Sequence, residues 1–351
     1  MKRETWAELL RIVCMLMILT LHYLNKGGIL PDILSAQMNG ADETAWFLEA
    51  LCYVSVNAFV LVTGYFLGGS RLTFSKLAGF WGQIAFYSIG VTLVFLAFGW
   101  WKFDPYQAIQ SVLPVTTGHY WFATVYMLLL LLSPILNRGL KELDHRTLNL
   151  IAAGLVVLGC ILPTLLPLAS ATDGRGLDIL WFITLYLCGA SLKRGEGFFS
   201  SPLRGLLTFV LCSALTYFLT MILRYVYLTT GHLGHYVGLL YNYNSITVFF
   251  GSLGLFSAFR GIRIREGVFA DIIRKVASMV FGVYLLHEHL LLRYEWPKWF
   301  HASECAGSFR WAANWLLAVL LTFIVCLAAE FLRQLLFAGV GKLCKRKNKQ
   351  N

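Results

Sequence analysis

Along the chain, apolar runs of roughly 18 to 25 residues alternate with short polar segments. A helix of that length matches a hydrocarbon layer about 30 Å thick. The runs fall near residues 6–24, 46–68, 77–99, 119–137, 147–169, 178–193, 204–228, 242–259, 275–294 and 313–337. Each is predicted to be helical, because a backbone in lipid must satisfy its own polar groups and an open sheet cannot. Aromatic and polar residues interrupt the seventh to ninth runs, so their ends are the least sharply defined. The pattern predicts an all-α integral membrane protein, a bundle of about ten transmembrane helices.

Charge orients the bundle. With the N-terminus in the cytoplasm, the inner segments hold twenty-one Lys and Arg, among them Arg71, Lys76, Arg263 and Arg265, and the outer ones seven. That excess fits ten crossings with both termini cytoplasmic, since basic flanks are retained on that side. It also accounts for the formal net charge of +11 without a nucleic-acid partner. Only 13% of residues are charged and 58% are hydrophobic, against about a quarter charged in soluble domains. The longest loops, about 25–45 and 295–312, are too short for a separate domain. The organisation expected is one membrane domain over residues 1–340 and a basic cytoplasmic tail over 341–351, which meets anionic membrane lipid. Residues 6–24 carry Glu8, Arg11 and His22 and are read as a retained first helix rather than a cleaved signal. The eight cysteines lie mostly within apolar runs and show no CxxC spacing. No zinc spacing, Walker loop or nucleotide fingerprint is present, so no metal is invoked.

The polar residues inside the spans carry the most information, because a charge at mid-span costs about 3 kcal/mol on insertion scales and needs a partner or a cavity. Arg11 and His22 are eleven residues apart, three helical turns plus about 20°, so both fall on one face about 16 Å apart along the axis. Glu8, three residues before Arg11, is placed to pair with it. His119 and His287, from distant segments, are expected at the same outer depth as His22. Each alone reads as an interfacial hydrogen-bonding residue; together they suggest an outward-facing polar cavity suited to proton transfer. Gly64 and Gly189 are expected at close helix crossings. Glu330 and Gln83 are further intramembrane polar residues to which the sequence assigns no role.

The Arg11-x10-His22 pair resembles the opening signature of the membrane acyltransferase 3 family. Val56-Asn-Ala-Phe-Val-Leu-Val-Thr-Gly-Tyr-Phe-Leu67 is similar to that family's second-helix stretch. His119-Tyr-Trp-Phe122 with Leu132-Ser-Pro-Ile-Leu136 resembles its fourth helix, and Phe281-Gly-Val-Tyr-Leu-Leu-His287 its late histidine segment. The four matches occur in the family's order across residues 8 to 290. Two departures stand out: Thr63 replaces the more usual Ser, and Ser70-Arg71-Leu-Thr-Phe-Ser-Lys76 is less basic than the usual segment. The esterase-like domain that some members carry is absent.

The resemblance implies transfer of an acyl group, most often acetyl, from cytoplasmic acyl-coenzyme A to a hydroxyl of an extracytoplasmic or lipid-linked glycan at the bacterial cytoplasmic membrane. His22 would serve as base or as covalent acyl carrier, and Arg11, paired with Glu8, as an orienting charge. His119, Trp121 and His287 would shape the pocket or support His22; Arg71 and Lys76 are the candidates for coenzyme-A phosphates. A polytopic transporter or flippase for a glycan or its precursor also fits the spans and the buried charge, though not the ordered motifs. A scaffold with no catalytic role is a third reading. The acceptor and the oligomeric state are left open.

Overall fold

The computed structural model describes residues 4–67, 72–166, 174–195 and 198–347. Among them every regular element is a helix and none is a strand, as a chain with no aqueous partner for its backbone requires. Seven helical stretches are long and apolar enough to cross a membrane: Thr5–Lys26, Gly40–Phe66, Phe74–Ala97, Trp121–Glu142, His145–Leu165, Pro202–Thr230 and Arg310–Gly339. Each coincides with an expected run; residue 68 of the second and residues 167–169 of the fifth lie outside the described residues. The other three expected runs are helical only in part, and residues 288–294 of the ninth form turns. Their helices are α9 (Ile179–Arg194), α12 (Ile246–Arg260), and α13 (Val268–Ala277) followed by α14 (Val280–His287). With 16 residues, α9 is about 24 Å long, less than the hydrocarbon thickness. The ten apolar runs are therefore helices of unequal reach rather than ten equal crossings. The chain is a multi-pass, all-helical membrane protein.

Helix starts are written locally. Asn39 closes a capping box with Asp42 ahead of α2 (Gly40–Cys52), and Thr73 caps α4 (Phe74–Ala97). Asp178 caps α9, Ser245 caps α12, and Ser201 caps α10 (Pro202–Thr230), where Pro202 takes the first turn. Each side-chain oxygen accepts from an otherwise orphaned N–H.

The first helix, α1 (Thr5–Lys26), runs through the middle of the bundle and touches α2, α3 (Ser55–Leu67), α12, α13, α14 and α15 (Arg310–Lys347). Its polar residues are tied off in turn. Thr20 Oγ1 accepts from Trp315 Nε1 at 2.9 Å, Tyr23 Oη donates to Asn314 Oδ1 at 2.7 Å, and Asn25 Nδ2 donates to Glu49 Oε1 at 2.6 Å. In contrast, α10 packs chiefly on α12 and α2 and turns Leu203, Leu207, Leu211 and Phe218 outward, as a lipid-facing helix does.

Two features foreseen in the sequence have structural uses. Gly64 on α3 faces Gly189 on α9. A Cβ at 64 would sit 2.2 Å from the Tyr186 carbonyl oxygen, and one at 189 would sit 2.3 Å from that of Leu61. Only glycine lets these backbones approach so closely. Glu330, fully buried on α15, accepts from Tyr87 Oη and from Arg333 Nε and Nη2, all at 2.7 Å, and from Gln334 Nε2 at 3.0 Å. Its carboxyl rests against Gly282, so one satisfied charge joins α4, α14 and α15. Cys14, Cys52, Cys160, Cys188, Cys212, Cys305 and Cys326 are free thiols.

Gly64→Ala is expected to cost about 1–3 kcal/mol or more of stability, because the methyl meets backbone that cannot rotate away. Gly79→Ala on α4, where no atom lies within 4 Å, is expected to be neutral. Thermal unfolding of the two detergent-solubilised variants makes the comparison, and equal melting would remove the close-crossing argument.

Candidate functional site

At the C-terminal end of α1, His22 meets the segment that follows α14. Its Nδ1 lies 2.9 Å from His287 Nε2 and 3.2 Å from Glu288 Oε2. His287 Nδ1 lies 2.7 Å from the Val283 carbonyl oxygen, which can only accept, so His287 carries its proton on Nδ1. Its Nε2 then offers a lone pair, and His22 Nδ1 is the donor to it and to Glu288. The other nitrogen of His22, Nε2, is left without a proton. The ring lines a cavity of about 20 Å³ together with Met15, Phe59, Trp121, Phe122 and Tyr284.

Glu288 is the charge at the centre. Its side chain is 6% exposed, and it meets Lys26 Nζ directly and Arg293 Nη1 at 3.6 Å. A carboxylate in so poor a solvent requires such partners. Three ligand-type atoms, on His22, His287 and Glu288, lie within 4.8 Å of one another. The carboxylate oxygen nearest the histidines is already met by the Lys26 ammonium, and the two imidazoles share a hydrogen bond, so the groups satisfy one another.

The segment carrying Glu288 is anchored by a second histidine pair. His289 Nε2 lies 3.0 Å from the Ser88 carbonyl, and its Nδ1 accepts from Leu291 N at 3.2 Å. His119 Nε2 accepts from Leu290 N at 3.3 Å, and its Nδ1 lies 3.4 Å from the carbonyl of Gln110. Both rings are buried, with every nitrogen occupied. His119 therefore stands against His289, ring centroids 4.9 Å apart, and among the described contacts it does not touch His22.

Trp121 lies in the cavity wall and stacks on Tyr243 at 5.8 Å; Tyr243 stacks in turn on Tyr53 at 4.9 Å. The wall is fixed by fully buried Asn57 of α3, whose Nδ2 donates to the Tyr243 carbonyl at 2.6 Å and whose Oδ1 accepts from Trp181 Nε1 at 3.0 Å.

Arg11 and Glu8 lie near the opposite end of α1, paired at 3.0 Å. Glu8 is buried, and the Arg11 side chain is 25% exposed. The helix is unbroken from Thr5 to Lys26, so Arg11 and His22 share a face without touching. Toward that end, Trp6 packs on Tyr65, and both Lys193 Nζ and Arg260 Cζ lie 5.8 Å from the Tyr65 ring centre. Lys76 lies in the first turn of α4; Arg71 lies outside the described residues. Of the residues singled out in the sequence, the fold thus brings together His22, His287 and Trp121, and separately Glu8 and Arg11. Glu288, Lys26, Arg293 and Tyr284 join the first group. The available signal was the carboxylate between two histidines in His287-Glu-His289.

A family model described as an acyltransferase domain matches residues 4–331. No curated protein and no solved structure gives a match.

Lys26→Met and Glu288→Gln are expected to be coupled in stability by about 1–3 kcal/mol in a double-mutant cycle, as direct partners are. Unfolding of the four proteins in one detergent measures this; additive effects would mean that the pair is not a tether.

Proposed function

Because the chain belongs to the acyltransferase 3 family and is a membrane acyltransferase, we propose that it moves an acyl group, in the first instance acetyl, from cytoplasmic acyl-coenzyme A to a hydroxyl of an extracytoplasmic or lipid-linked glycan. The observation that carries this reading is the state of His22. Its Nδ1 is committed to His287 and Glu288, which leaves the Nε2 lone pair free on a ring that lines the cavity.

A sugar hydroxyl attacks a thioester only as its proton leaves, and His22 Nε2 accepts that proton. The same lone pair also suits the covalent alternative, in which Nε2 takes the acyl group first and passes it on. As His22 becomes positive, the Glu288 carboxylate beside Nδ1 stabilises it, which is the role of the third member in nucleophile–base–carboxylate triads. The Trp121–Tyr243–Tyr53 wall supports a sugar acceptor, since aromatic faces pack well against the apolar faces of sugar rings.

The donor approaches from the other end of α1. Lys193 and Arg260 around Tyr65, with Arg71 and Lys76, supply cations for the phosphates, and Arg11, held by Glu8, orients a carbonyl or phosphate by charge-assisted hydrogen bonds. The roughly 16 Å from Arg11 to His22 is left for the extended pantetheine arm. This reading sets both termini in the cytoplasm of a bacterial cell, with residues 1–340 as the catalytic membrane domain and 341–351 as a basic tail. It uses no metal and no nucleic acid.

The test uses the full chain in proteoliposomes, with labelled acetyl-coenzyme A as donor and, as acceptor, surface polysaccharide purified from a host strain lacking the gene. His22→Ala is expected to reduce transfer by about 10³-fold, the middle of the range for a lost general base, and label trapped on the wild-type protein by a rapid neutral quench, released by hydroxylamine and absent from His22→Ala, separates the covalent route from the direct one. Unchanged acylation in His22→Ala, with a fall in glycan export by the host, would replace the enzyme reading of this site with transport.

A further inference from the structure

The cavity beside His22 contains a group that the reading above leaves unused. Tyr284 of α14 is 4% exposed and lines the same cavity as His22, Trp121 and Phe122. Its hydroxyl is buried, lies next to the Phe122 backbone, and makes no hydrogen bond of acceptable geometry. An unmet hydroxyl in such surroundings is unfavourable, having given up water without a replacement, so it calls for an explanation in terms of an absent partner.

The same wall presents the start of α6 (Trp121–Glu142). No side chain caps this helix. The first main-chain bond there runs from Thr124 N to the Tyr120 carbonyl, the Phe122 N–H faces the Tyr284 oxygen, and among the described contacts the N–H groups of Trp121 and Ala123 have no acceptor. The first turn of a 22-residue helix carries partial positive charge and free donors. The Tyr284 hydroxyl and the first turn of α6 therefore meet beside a space of about 20 Å³ that Trp121, Phe122 and Tyr284 line, which holds about one water-sized group.

We propose that Tyr284 Oη and the uncapped first turn of α6 form the oxyanion site of the acyl transfer, with His22 alongside; this inference rests on His22 acting as proposed above. As the acceptor hydroxyl oxygen bonds to the thioester carbonyl carbon, its proton passes to His22 Nε2. The carbonyl π pair moves onto the carbonyl oxygen, which takes the hydrogen bond of Tyr284 and the N–H groups of the first turn. Collapse of that oxygen's pair re-forms the carbonyl and breaks the C–S bond. The thiolate of coenzyme A leaves and recovers the proton from His22, so no other reactant is needed. On the covalent route His22 Nε2 attacks in the first half-reaction and is the leaving group when the acceptor hydroxyl attacks in the second, the coenzyme-A thiolate taking the hydroxyl proton, and the same site holds the oxyanion in both. Donors held in place before the charge develops act where they are strongest, in a site closed to water.

Tyr284→Phe removes only the hydroxyl. Since that oxygen has no partner in the resting protein, the variant is expected to melt at or above the wild-type temperature. Its kcat is expected to fall about 100-fold, the lower part of the range for one lost oxyanion donor, with KM for acetyl-coenzyme A unchanged. Tyr120→Phe is the control: it deletes another buried, unpartnered hydroxyl, on a ring 6.0 Å from that of Tyr284 and outside the cavity lining, and is expected to keep its kcat. The assay is the proteoliposome transfer from acetyl-coenzyme A to polysaccharide from the deletion strain. A kcat for Tyr284→Phe within about threefold of wild type, a loss matched by a fall in melting temperature, or an equal loss in Tyr120→Phe overturns the inference while His22→Ala stays inactive. An active His22→Ala overturns it together with the reading beneath it.

Discussion

The carboxylate of Glu288 is the constraint on which the site depends. It sits where the medium supports a charge poorly, so it must gather cations and donors, and it gathers them from two distant parts of the chain: Lys26 and His22 from α1, Arg293 from its own loop. The consequence is positional. The end of the central helix is held to the segment after α14, and the His22 ring is turned so that Nδ1 is occupied. The segment is held from behind by His119 and His289, whose nitrogens meet main-chain groups of residues 88, 110, 290 and 291. Two histidine pairs thus do different work: one presents a lone pair, the other holds the loop that makes the presentation possible.

Glu330 shows the same physics without the chemistry. It is as deeply buried, and both of its oxygens are saturated by Tyr87, Arg333 and Gln334, so it offers nothing to the apolar hollow that Tyr87 and Arg333 help to line. A buried carboxylate with every lone pair met fastens helices. One that leaves a neighbouring imidazole half free beside a cavity is placed to affect a reaction. Environment separates the two more sharply than charge or depth does.

Helical periodicity made much of this legible. Eleven residues return a helix to the same face, so the relation of Arg11 to His22 followed from spacing, and the unbroken α1 keeps it. The Gly64–Gly189 contact was similarly readable, because few other reasons put glycine in mid-span. The arrangement of the histidines was only half readable. Depth along the bilayer follows from position in a span, and His22, His119 and His287 were grouped on that basis. Which of them touch depends on the rotation of helices about one another, and rotation put His119 on His289. Glu288 escaped for a local reason. Consecutive residues on a helix point about 100° apart, so a neighbour of His287 would not share its partner; but α14 stops at His287, and Glu288 takes a turn-like conformation of φ −95° and ψ 5°, which brings both side chains to His22. The short reach of α9, α12 and α14 was hidden because hydropathy measures the apolar run and not where caps and breaks divide it.

The central claim is that the Glu288 tether holds His22 as the Nδ1–H tautomer with Nε2 bare. Nitrogen-15 magic-angle-spinning NMR of histidine-labelled protein in lipid bilayers, with His22 assigned by difference against His22→Gln, reads this directly. The account predicts a protonated Nδ1 and an unprotonated Nε2 at His22 in the wild type, with that preference weakened in Glu288→Gln, where His287 Nε2 alone still accepts from Nδ1. A proton on Nε2 and a bare Nδ1 in the wild type would contradict it.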